Sequence, residues 1–112
     1  MGYGISFKRT FECTFMKTAK KVEEIENLAQ KLQTAGDPSR LKILCYLFDA
    51  KRACVSDIAG DLGVSIATAS HHLQTLAKAG LLESEREGKR ICYLIPQGKL
   101  VLDLKKFICK YR

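Results

Sequence analysis

No stretch of this sequence approaches the roughly 20 consecutive apolar residues that a membrane-spanning helix needs, so no membrane partner is expected. Residues 1–15 lack the apolar core and small-residue cleavage site of a secretory signal. Met1-Gly2-Tyr3-Gly4-Ile5-Ser6 does match the loose acylation pattern for Gly2, but the match is short and common by chance. Internal repeats and low-complexity tracts are missing. So is any nucleophile–base–acid set, and a chain this small leaves little depth for a substrate pocket. An enzyme is therefore not expected. Carboxylates are the scarcer charge, 12 Asp and Glu against 19 Lys and Arg, which leaves a net charge of +7. That balance fits an anionic partner, nucleic acid or an acidic membrane face, and equally a solvated surface that is simply basic.

With 112 residues, 46% of them apolar and 28% charged, the chain suits one ordinary globular domain. Such a chain buries roughly two-thirds of its unfolded surface, so its core is modest and a second copy would add to it. Five cysteines are many for this length. An odd count without a secretory signal argues against a secreted disulfide scaffold and for a reducing cytoplasm.

Residues 1–15 mix aromatics, glycines and isolated charges without a period, and residues 1–16 are read as an irregular arm. Met16 is a candidate translation start, which would make Cys13 incidental. Residues 17–112 form the expected domain. From Lys17, Val22, Ile25, Leu28, Ala29 and Leu32 follow helical steps until Gly36. Asp37 then caps a second helix with Pro38 at its first position, and Leu41, Leu44, Cys45 and Phe48 line one face to about Asp49. A short helix, Val55–Leu62, ends at Gly63, and Ser65 caps another, Ile66–Lys78, which stops at Gly80. Residues 81–86 and 90–95 are strand-like around Glu87-Gly88-Lys89, the pattern of a hairpin. Cys92 alternates with Tyr93 there and reads as a strand residue only. After Pro96, residues 99–110 carry Leu100, Val101, Leu104, Phe107 and Ile108 at helical spacing. The predicted order is α-α-α-α-β-β-α, mainly α with a β-hairpin wing.

The Ile66–Lys78 segment is the most informative. At about 100° per residue, Ile66, Ala69, Leu73, Leu76 and Ala77 fall on the inner side. Ala67, Thr68, His71, Thr75 and Lys78 fall outside, with Ser70 and His72 on the flanks. An ordinary solvent face uses Glu and Lys; Ser70-His71-His72 costs helix propensity and implies a task. Adjacent histidines point about 100° apart and do not easily chelate one metal ion. Small hydroxyl and imidazole groups without carboxylates suit base edges in a major groove. The short helix, tight turn and second helix make a helix-turn-helix, and Arg86, Lys89 and Arg90 at the hairpin reach for phosphates. The whole is a winged helix-turn-helix, with Ser65, Ala67, Thr68, Ser70, His71, His72, Lys78, Arg86, Lys89 and Arg90 as DNA-contact candidates. The rival class is a winged helix used for protein contacts, or a basic nucleoid-type protein without operator specificity.

Val55-Ser56-Asp57-Ile58-Ala59, Gly63-Val64-Ser65, Ser70-His71-His72-Leu73, Leu76, Ala79-Gly80-Leu81 and Glu87-Gly88-Lys89 closely resemble the ArsR/SmtB family of repressors. The resemblance runs from about Val22 to Arg112. It implies a homodimer joined by the first and last helices, bound to a palindromic operator in double-stranded DNA and released by a metal, metalloid or redox signal. The family's zinc site on the last helix needs histidine and carboxylates, and this last helix offers only Asp103. Its cadmium and lead branch uses Cys-x-Cys before the third helix; Cys54-Val55-Ser56 keeps one thiol, and Cys13 supplies another from the arm. Two sulfurs are few for a soft metal or metalloid. Cys45 and Cys109, each expected on the apolar side of its helix, the second and the last, resemble the persulfide-sensing dithiol branch. Three readings stay open: thiol sensing at Cys45 and Cys109, soft-metal binding by some set of Cys13, Cys54, Cys45 and Cys109, or cysteine as a small buried hydrophobe. No cofactor is required by the first.

Overall fold

The computed structural model describes residues 19–112. The expected arm, with Gly2, Cys13 and Met16, and the helix start at Lys17 lie outside the described residues. The described residues fall into two units, divided between Gln30 and Lys31. Helix α1, Ala19–Ala35, runs across that division. In the first unit Val22 and Ile25 are half-buried and Leu28 is exposed; in the second, Leu32 is exposed and Ala35 buried.

Within the second unit, α2 is Pro38–Ala50. The Asp37 carboxylate accepts the backbone N–H of Arg40 at 3.1 Å, the expected cap, and this bond holds its carboxyl below the usual carboxylate range. Arg40 Nε donates to the Thr34 carbonyl at 2.8 Å, fastening the end of α1 to the start of α2. Ile43, Leu44, Leu47 and Phe48 are buried, a stripe of adjacent helical turns. After Lys51, whose φ is +71°, the chain extends into a strand that the sequence pattern does not announce: β1, Arg52–Cys54. Helix α3, Val55–Leu62, follows at once and stops at Gly63 in the left-handed conformation, φ +69°. Helix α4 is Ile66–Lys78, capped by Ser65 Oγ, which accepts the Thr68 N–H at 3.0 Å.

Strands β2, Glu83–Glu87, and β3, Arg90–Leu94, form the hairpin. Its two-residue turn has positive φ at Gly88 and not at Lys89, the type II′ pattern that matches strand twist. Leu81 and Leu82, expected as strand, lie before it as buried anchors, because the core claims both side chains. The sheet is antiparallel in the order β1-β3-β2, so the wing is rooted on β1 rather than being a free hairpin. Helix α5, Lys99–Tyr111, completes the chain.

Ile43, Leu44, Leu47, Ile58, Leu73, Leu76 and Leu81 are less than 2% exposed or nearly so and centre the core where α2, α3 and α4 meet. Two expectations about faces fail. Ile66 is 59% exposed, because the first turn of α4 projects past the residues that cover Ala69 and Leu73. Cys109 is exposed rather than on the covered side of α5, where Val101 is buried and Leu104 and Ile108 are half-buried.

Candidate nucleic-acid interface

Ala69, Leu73 and Leu76, all at 0% exposure, fix the rotation of α4 about its axis. That rotation leaves Ala67, Thr68, His71, Gln74 and Lys78 exposed, with Ser70, His72 and Thr75 half-buried. No carboxylate interrupts the face. Ser65 Oγ also donates to Thr68 Oγ1 at 2.9 Å, which steadies the start of the helix. Thr75 turns its hydroxyl onto the His71 carbonyl, 2.9 Å away, and so spends it on the helix itself. Gln74 Nε2 donates to Ser70 Oγ at 3.1 Å. Gln74 is a functional candidate that sequence reasoning alone misses. A signal for it exists: an amide one turn beyond Ser70, of the kind that pairs with an adenine edge.

The two histidines separate. His71 is exposed, whereas His72 is half-buried, with Nδ1 shielded from solvent and without a hydrogen-bond partner. His72 shares a small pocket of about 80 Å³ with Ser39 and Lys42 at the start of α2 and lies in the field of Asp37. Their ring centroids are 5.9 Å apart and the rings are inclined by 55°, so they do not converge on one point.

On the wing, Arg86, Lys89 and Arg90 are exposed. Arg90 is also paired with Asp57 of α3, Nη2 to Oδ2 at 3.2 Å. The alternation of β2 puts Glu83, Glu85 and Glu87 on one side of the sheet, a negative stripe that becomes evident only once the strand is placed. Arg52 of β1 answers it, with Nε 2.6 Å from Glu85 and Nη2 3.5 Å from Glu87; these carboxylates, Glu85 first, hold its guanidinium more firmly protonated. A cleft of about 290 Å³ lies between the start of α3, α4 and the wing. Ile66 and Ser70 line one wall, Lys89, Arg90 and Ile91 the other, and Cys54 lies between. The polar helix face and the cationic wing thus flank one opening.

Cys54 and Cys92 stand directly opposite each other on β1 and β3 and are joined by a disulfide. Cys92 is therefore more than a strand residue. Among the described residues, Glu87 is the one further ligand type whose atom lies within 4.8 Å of both sulfurs. Cys13, the other thiol proposed for a metal, is outside the described residues. Cys45 is half-buried and Cys109 exposed, both as free thiols. Arg112 relates them: its guanidinium sits 3.1 Å from Asp49 Oδ1, interacts with Cys45 and lies within electrostatic reach of Cys109. No described helix is long and apolar enough to cross a membrane.

Residues 37–84 match the sequence profile of bacterial regulatory proteins of the arsR family. The cadmium resistance transcriptional regulatory protein CadC of Listeria innocua is 42% identical over 66 residues, 59% of this chain, which spans 56% of that protein's length. An uncharacterized HTH-type transcriptional regulator of Methanocaldococcus jannaschii is 38% identical over 79 residues, covering 70% of this chain and 89% of that one. The homodimeric winged helix-turn-helix DNA-binding domain of a possible ArsR-family regulator from Mycobacterium bovis superposes with a TM-score of 0.72 at 32% identity, covering 81% of this chain and 82% of that one. The chain belongs to the arsR family of bacterial regulatory proteins, transcriptional regulators built on a winged helix-turn-helix and not enzymes.

Proposed function

We propose that this protein is a sequence-specific repressor that binds a palindromic operator in double-stranded DNA as a homodimer and lets go when its Cys45 and Cys109 thiols are modified. The observation that carries the DNA-binding part is the shared cleft, with Ser70 of α4 on one wall and Lys89 and Arg90 on the other. A helix laid in the major groove offers Thr68, Ser70, His71 and Gln74 to base edges, while Ser65 and Lys78 at its ends and the wing's Arg86, Lys89 and Arg90 serve the backbone. Ala67 is small enough to let the helix approach closely. His72 has the weakest claim, since its ring is turned toward α2.

A second copy is supported by the homodimeric relative and by the apolar groups this chain leaves exposed: Leu28 and Leu32 on α1, and Leu102, Phe107 and Tyr111 on α5. A two-fold dimer reads half-sites about one helical turn apart. The switch reading is supported by Arg112, which bonds Cys45 and lies within electrostatic reach of Cys109. A polysulfide passes sulfur to one thiolate and leaves one sulfur shorter; the second thiol closes the bridge and releases hydrogen sulfide; a thiol reductant reverses the link. Such chemistry suits a reducing compartment, as in the cytoplasm.

The cadmium regulators among the relatives support a second reading, release by a soft metal or metalloid. The test of the first reading is selection of bound duplexes from a random pool, repeated with polysulfide present. Enrichment of a palindrome that polysulfide abolishes supports it. Binding without any enriched sequence would leave a nucleoid-type protein, and a palindrome released by cadmium alone would favour the metal reading.

A further inference from the structure

We propose that Cys54, Cys92 and Glu87 form a site for a soft divalent cation of the zinc or cadmium type, set beneath the cleft between α4 and the wing and open to the ion when the Cys54–Cys92 link is reduced. The two sulfurs and a Glu87 carboxylate oxygen all lie within 4.8 Å of one another. This is a consequence of register. Cys54 faces Cys92 across β1 and β3, Cys92 faces Glu85 across β3 and β2, and Glu87 follows Glu85 on the same side of the sheet. The site draws on three strands, and its two sulfurs come from residues 38 positions apart.

Two thiolates and one carboxylate are three of the four ligands that a tetrahedral zinc-like ion takes. With sulfur at about 2.3 Å from the ion, tetrahedral angles place the sulfurs about 3.8 Å apart. Cys54 and Cys92 are direct ladder partners, Cα to Cα 3.7 Å, so that sulfur separation needs side-chain rotation and no change of register. Cys54 and Cys92 are buried, which keeps water from crowding the sulfurs, while Glu87 is exposed and Cys54 lines the cleft, which gives the ion a way in. Three anionic ligands and a dication leave one negative charge. Arg52 stands beside it, already paired to Glu87 and keeping Glu85 when Glu87 turns to the ion.

The chemistry balances with a cellular dithiol as reductant. It gives two electrons and two protons to the Cys54–Cys92 bond and becomes a disulfide; the ion then displaces the two thiol protons. Cys54 is the residue that starts α3, and Glu87 is the last residue of β2 before the turn that carries Lys89. An ion held between them sets the wing's cations against α4, inside the DNA-binding face. The site does not depend on Cys45 or Cys109.

The test is titration of the reduced full-length chain with Cd²⁺, read by thiolate-to-metal charge-transfer absorption and by calorimetry, with Co²⁺ as a geometry probe. One ion per chain is expected, with a tetrahedral Co²⁺ spectrum, retained in Cys13→Ser and in Cys45→Ser, Cys109→Ser. Cys92→Ser should weaken binding by at least the roughly 10- to 100-fold that losing a supporting group costs, and Glu87→Gln by about tenfold. Circular dichroism of each variant shows whether it folds, and Glu87→Gln, on an exposed side chain, carries the test if Cys92→Ser does not fold. Absence of binding to the reduced chain, or undiminished binding in Glu87→Gln and Cys92→Ser, overturns the proposal. Loss in Cys13→Ser overturns it too, in favour of a site shared by Cys13 and Cys54.

Discussion

Arg90 of the wing and Asp57 of α3 form an ion pair, Nη2 to Oδ2 at 3.2 Å, with both side chains more than half exposed. An exposed pair of this kind contributes about 0–1 kcal/mol, so Arg90 gives up Asp57 at little cost when a phosphate competes for it. Among the described residues Lys89 and Arg86 have no ion pair to give up. Lys89 and Arg90 therefore line the cleft with at most one weak pair to give up, whereas Arg52 is committed to Glu85 and Glu87.

Wing substitutions should act on all sequences alike. Arg90→Ala and Lys89→Ala are expected to weaken binding to operator and random DNA together and to reduce the salt slope by roughly one unit for each phosphate no longer neutralised. Asp57→Asn should move the other way, modestly tightening binding to random DNA by releasing Arg90. Fluorescence anisotropy over a salt series checks both. A change in sequence preference at constant salt slope would mean that the wing reads bases.

Substitutions on α4 should instead act on specificity. Ser70→Ala, His71→Ala and Gln74→Ala are each expected to lower operator affinity by about 1–3 kcal/mol and to leave random-DNA binding nearly unchanged. Gln74→Ala also removes the partner of Ser70 Oγ, so the pair should show less than additive losses in a double-mutant cycle. Equal losses on operator and random DNA would remove this face from the reading role.

What the sequence makes legible follows from how local each signal is. Asp37-Pro38, Ser65 and Gly63 act within one turn of chain, and the helices they bound stand where the pattern puts them. Strand β1 is three residues long and exists because β3, some 40 residues later, supplies its hydrogen bonds; nothing inside Arg52-Ala53-Cys54 encodes that. The Cys54–Cys92 contact depends on the same register and is invisible for the same reason. Ile66 departs from its expected burial because periodicity gives the side of a helix and says nothing of where the covering elements end. Cys109 departs similarly: an apolar stripe on α5 shows which side is covered only if the partner surface is known.

The caps offer a stability test apart from DNA. Ser65→Ala removes the acceptor of the Thr68 N–H and should cost about 0.5–2 kcal/mol in chemical denaturation, while Ser65→Asp should be tolerated. Leu73→Ala, at a site with no exposure, should cost about 2–5 kcal/mol. A Ser65→Ala protein as stable as the parent would show that the cap is redundant with the packing of α4.

Tyr46 makes a pH-dependent contribution whose sign is fixed by its partner. Its hydroxyl donates to Asp61 Oδ2 at 2.6 Å, and this bond, then burial and the charge of Asp61, push its phenol up to about 12 from an ordinary 10.0. The fold thus prefers the neutral phenol. The stabilisation is whole below about pH 10 and fades as the pH rises toward 12. Tyr46→Phe should lower stability near neutral pH, and the difference from the parent should shrink between pH 10 and 12. In an ultraviolet titration the variant should lose the phenolate that forms toward pH 12.

The thiol switch can be tested through Arg112 without touching either sulfur. The guanidinium is anchored to Asp49, bonds Cys45 and lies within electrostatic reach of Cys109, so under the proposed switch it should draw an anionic polysulfide to the pair and stabilise the sulfur anion that leaves. A direct disulfide requires the Cα atoms to come within about 7 Å, whereas inserted sulfur atoms bridge a wider gap. Cys109 is exposed and Cys45 half-buried, so Cys109 should react first and Cys45 should close the bridge. Mass spectrometry after polysulfide treatment should therefore find sulfur on Cys109 alone in Cys45→Ser, and a bridge spanning both residues in the parent. Arg112→Gln should slow formation of the bridge while leaving operator affinity of the reduced protein unchanged, and Arg112→Lys should restore part of the rate. Both single cysteine variants should hold DNA in the presence of polysulfide. If the Cys45→Ser, Cys109→Ser protein still lets go of the operator, the signal enters elsewhere, and Cys54 with Cys92 becomes the place to look.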